Sequence, residues 1–127
     1  MCHPTAAAEI ERQRRLKYLS DCADLEVGLI ALALVDVNAG DARARRRALA
    51  AAIRAFEEAL ANAPSTPRLA FEATLGKAAA LRENGEFREA LDLLHALRAK
   101  PVPPVDRPRF AYELVVTLVR AEIGRAS

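Results

Sequence analysis

The chain has 127 residues, 52% hydrophobic and 28% charged, with a formal net charge of +2. That is one domain's length with enough apolar mass for a core, and a balance that demands neither nucleic acid nor an anionic membrane. Five Gly are too few for the turns of an all-β domain, and collagen-like, disordered and disulfide-built classes are excluded. Aromatics are only 5% and alanine is the commonest residue, so close backbone approach must stand in for large side chains. Ala, Leu, Arg and Glu are strong helix formers. The expectation is an all-α single domain of about five helices over residues 1–127.

The first eight residues have neither a basic nor an apolar segment of a secretion signal. Cys2 and Cys22 lack zinc-site spacing, and a reduced, cytoplasmic setting is expected. Thr5 can cap a helix that begins at Ala6 and runs without proline to Asn38. Ser20 and Asp21 could interrupt it, but the spacing favours one helix. Two apolar stripes follow the helical period: Leu16, Leu19, Ala23, Val27, Ile30, Leu34 and Val37, and beside them Cys22, Leu25, Leu29 and Leu32. Residues 25–37 are thus apolar nearly all round, but they include Glu26 and Asp36 and fall short of the ~20 residues of a membrane span.

Asn38 and Gly40 stop this helix and Asp41 caps the next, to about Ala63, with Leu49, Ile53, Phe56 and Leu60 inward. Thr66 and Pro67 open a third helix, with Phe71, Leu75, Ala78 and Ala79 inward, ending at Asn84 and Gly85. A fourth helix covers residues 87–99, with Phe87, Ala90, Leu91, Leu94 and Leu97 on one face. Residues 100–105 hold three prolines and read as a stiff linker. Asp106 caps a terminal helix, residues 106–124, in which Phe110, Leu114, Val115 and Leu118 occupy more than one face.

Two stretches repeat. Ala52, Phe56, Ala59 and Pro64 share a frame with Ala90, Leu94, Leu97 and Pro101, and Ala52 and Ala90 lie 38 residues apart. With Gly85 and Phe87, this pattern resembles the tetratricopeptide repeat family over residues 25–99. Pro101 comes one place early, and Leu97 stands where that family usually has Ala. The resemblance implies antiparallel hairpins in a short right-handed array, and a non-enzymatic protein–protein interaction module. Small bacterial secretion chaperones of this architecture fit by size. Some members clamp a partner's terminal carboxylate with Lys and Asn. Leu75 and Ala79 hold those places here, so the implied groove is apolar, lined by Leu75, Ala79 and Arg82.

No sequence constellation suits catalysis, metal or cofactor binding. His3 is terminal and His95 lies on a helix rim. Excess apolar surface points instead to another protein, or to a homodimer, at Leu29, Leu32, Leu75, Ala79, Arg82, Phe110, Leu114, Val115 and Leu118. The alternative is a regulatory nucleic-acid-associated protein using the basic face Arg43, Arg46 and Arg47. No aromatics interleave with those arginines, so stacking on single strands has no basis there.

Overall fold

The computed structural model describes residues 5–126. It contains α1 (Ala6–Val37), α2 (Ala42–Ala61), α3 (Pro67–Glu83), α4 (Phe87–Arg98) and α5 (Arg107–Ala126), with a single 3-10 turn at Pro104–Asp106 inside the linker. There is no strand among the described residues, and the fold is all-α. Cys2 and His3 lie outside the described residues.

The boundaries follow local chemistry. The Thr5 hydroxyl accepts the Ala8 amide at 3.1 Å, the Asp41 carboxylate accepts those of Arg43 and Ala44, and the Thr66 hydroxyl accepts that of Leu69 ahead of Pro67. Each satisfies donors that a helix start leaves unpaired. Gly85 turns the chain out of α3 at φ 81°, a left-handed conformation that glycine adopts freely. Position 63 does the same after α2 with an alanine, at φ 51°.

The helices form a row of hairpins. α1 packs on α2 and α3, α2 on α3, α3 on α4 and α5, and α4 on α5. Thus α3 is covered by all four other helices, and nine of its residues are buried. One core joins Ala31 of α1, Ala52, Phe56 and Ala59 of α2, and Ala73 and Ala80 of α3. A second joins Phe71, Leu75 and Ala78 of α3, Leu94 and Leu97 of α4, and Phe110 of α5. The small residues let backbones approach, and Phe56, fully buried, fills the widest gap.

α1 is continuous through Ser20 and Asp21. Asp21 does not cap a helix; it is buried and ties α1 to the α2–α3 loop. Its carboxylate accepts the Ser65 amide at 2.8 Å and Lys17 Nζ at 3.0 Å, and Lys17 also donates to the Asn62 carbonyl that ends α2. Burial works against the Asp21 charge, but the hydrogen bonds from Lys17 and Ser65 outweigh it. The carboxyl is held below its ordinary pKa.

Candidate interaction surfaces

The residues expected to bind a partner divide by burial. Leu29 and Leu32 are half-buried, packed on the α1–α2–α3 core. Leu75, Ala79, Arg82 and Phe110 are buried, and Leu114 packs on the second core. Leu75, Ala79 and Arg82 therefore do not line an open groove. α3 is the central helix, and its neighbours cover the face on which they lie. Val115 and Leu118 are exposed.

Arg82 has an internal use. Its guanidinium pairs with Glu113 of α5 and, at 3.3 Å, with Glu83. Glu83 also receives Arg45 of α2 at 3.2 Å and Arg120 of α5 at 2.5 Å. Arg45 donates to the Glu83 carbonyl as well, completing the end of α3. One carboxylate thus ties three helices. Buried arginine is tolerable because carboxylates reach it from two directions.

Two helix faces remain apolar and uncovered. On α5, Tyr112, Val115, Leu118 and Val119 are exposed. On α1, the first stripe, from Leu16 to Val37, faces solvent along its whole length. The opposite side of α1, carrying Asp21, Gly28, Ala31 and Val35, packs inward. Small residues win the inward side because they admit α2 at close range, which leaves the bulkier stripe outside.

Other features are poorer in chemistry. A cavity of about 540 Å³ lies between α3 and the linker, walled by Phe71, Leu97, Pro101 and Pro103, with Arg68 and Lys100 at its edge. Its hydroxyl, from Thr74, already donates to the Ala70 carbonyl. The prolines that read in the sequence as a stiff linker wall this cavity, and no sequence pattern signals it. Arg43, Arg46 and Arg47 are exposed, while Arg45 is drawn into the Glu83 network. Among the described residues no group of three His, Cys, Asp or Glu side chains could hold a metal ion. No helix among them is long and apolar enough to cross a membrane.

No protein-family profile matches the chain, and no curated protein or solved structure matches it.

Proposed function

We propose that the chain is a non-enzymatic, cytoplasmic protein–protein interaction module: a small adaptor or chaperone that holds an amphipathic helix or apolar segment of another protein against α5. The exposed set Tyr112, Val115, Leu118 and Val119 carries this reading. α3 has helices on both sides, whereas α5 has α3 and α4 on one side only. An apolar helix face in water is a disfavoured state that a second helix relieves. The order of contacts is that of a short helical-hairpin array, which is the architecture the tetratricopeptide-like reading requires without being specific to it. α1, α3 and α5 touch in succession, while α2 and α4 do not touch each other among the described residues.

The test is site-specific photo-crosslinking from position 115 in the native host, with the same probe in a Leu118→Asp/Val119→Asp background as control. The expected result is one dominant heterologous adduct, absent from the control, whose circular dichroism is unchanged. Adducts only with a second copy of the chain, or none, would reject the reading.

A further inference from the structure

We infer that the outer face of α1 is a self-association surface, which pairs two copies of this chain antiparallel through residues 16–37. The inference shares with the proposed function the premise that uncovered helix faces are where the chain acts. It concerns a different face, on the opposite side of α3 from α5.

The stripe has the spacing of a helix-pairing seam. Leu16, Leu19, Ala23, Val27, Ile30, Leu34 and Val37 take six steps over 21 residues, an average of 3.5. That is the period at which a seam stays turned toward a second helix. The six large side chains are 43–77% exposed. With Ala23 they offer on the order of 600 Å² per copy along about 33 Å of helix. Two copies together bury about 1,200 Å², the lower bound for a stable specific interface.

The stripe is also complementary to itself when reversed. With the two-fold axis between residues 26 and 27, Leu16 of one copy faces Val37 of the other, Leu19 faces Leu34, and Ala23 faces Ile30. Val27 meets its own counterpart beside the axis.

Charge selects this direction over the parallel one. Residues 12–17 contain Arg12, Arg14, Arg15 and Lys17 and no acid. Residues 22–37, the rest of the stripe-bearing part of α1, contain Asp24, Glu26 and Asp36 and no cation. Reversal sets Arg15 within a turn of Asp36. A parallel pair sets Arg12 and Arg15 against their own copies, which costs association. Glu26 is the exception: near the axis it faces Glu26 of the other copy.

The experiment is sedimentation of the purified chain at tens of micromolar, followed by disulfide trapping with Cys2 and Cys22 replaced by serine. The expected species is a dimer. Ile30→Asp should raise its dissociation constant at least tenfold, and Glu26→Gln should lower it severalfold. Arg15→Glu should weaken pairing, and Arg15→Glu/Asp36→Arg should restore it. Leu19→Cys mixed with Leu34→Cys should crosslink, while neither variant alone does. A monomer, a dimer indifferent to Ile30→Asp, or crosslinking of Leu19→Cys to itself would each overturn the inference. Val115→Asp/Leu118→Asp should leave the dimer intact, so failure at α5 and failure at α1 are distinguishable.

Discussion

Phe56 of α2 lies against the backbone of Gly28 in α1, and its ring occupies the space a side chain at position 28 would need. A Cβ at that position would sit 2.6 Å from Phe56 Cε1. Gly76 of α3 meets the same ring, and a Cβ there would come closer still. One aromatic thus sets the spacing of three helices. It is fully buried and has no room to retreat.

Gly28→Ala and Gly76→Ala should therefore each destabilise the fold. Alanine improves helix propensity by about 1 kcal/mol. Overpacking a close contact costs about 1–3 kcal/mol, and with a ring this enclosed the steric effect should win. Phe56→Leu should cost stability alone yet relieve Gly76→Ala, so the double variant should lose less than the two single losses combined. Urea unfolding of the four chains measures this coupling. Strict additivity would mean that the ring does not set the spacing.

Ala63 presents the opposite case. Its φ of 51° is left-handed backbone on a residue with a Cβ, just past the end of α2. That conformation costs an L-residue about 1 kcal/mol. Ala63→Gly should raise stability by about 0.5–1 kcal/mol, offset in part by the freer unfolded chain. In a domain of this size the melting temperature should rise by about 2–5 °C. A fall in melting temperature would mean the turn is not strained.

Asp21 should give the fold an acid limit. Its carboxyl is more acidic when folded than when unfolded, so its contribution is present above the ordinary aspartate pKa, ~3.9. That contribution is lost as pH falls through the lower, folded value. Asp21→Asn should cost about 1–2 kcal/mol at pH 7, where Lys17 loses its ionic partner. It should also flatten the fall in melting temperature between pH 5 and pH 3. Parallel pH profiles for variant and parent would show that other carboxylates govern acid unfolding.

Much of this fold was legible because its signals are local. Thr5, Asp41, and Thr66 with Pro67 mark helix starts through bonds to amides two or three residues on, and sequence spacing displays them directly. The facing of α1 was not legible, because both its sides are apolar. The choice rests on Gly28 meeting Phe56, 28 positions away. Arg82 reads from sequence as a groove-lining residue, because its main carboxylate, Glu113, lies 31 residues off on another helix. Leu75 and Ala79 lie on a helix whose four neighbours come from every part of the chain, so their burial follows from assembly. The α5 site was half visible: Val115 and Leu118 are exposed, Phe110 is buried, and periodicity alone did not separate them.

The Glu83 network should fail as a unit. Glu83→Gln removes the carboxylate shared by Arg45, Arg82 and Arg120, leaving buried Arg82 with Glu113 alone. A loss of about 1–3 kcal/mol is expected, larger than the ≤1 kcal/mol of an exposed pair. Arg120→Gln, at a half-exposed partner, should cost much less. A Glu83→Gln loss no larger than the Arg120→Gln loss, by calorimetry, would show that the three arginines act independently.

The start of α2 holds charge that the helix itself opposes. Arg43, Arg46 and Arg47 are exposed in its first two turns, where the amide dipoles make the potential positive. They also repel one another at three- and four-residue spacing. Asp41 offsets part of this from the cap position. Arg43→Glu should therefore raise stability by about 0.3–1 kcal/mol at low ionic strength, and the gain should shrink in high salt, where such exposed charges are screened. A melting series at two salt concentrations measures it. The same variant separates a solvated helix end from an anion-binding one. If the arginines only face water, stability rises and no nucleic acid is retained by either chain. If they serve nucleic acid, the parent should give a salt-sensitive gel shift with a DNA duplex that Arg43→Glu abolishes.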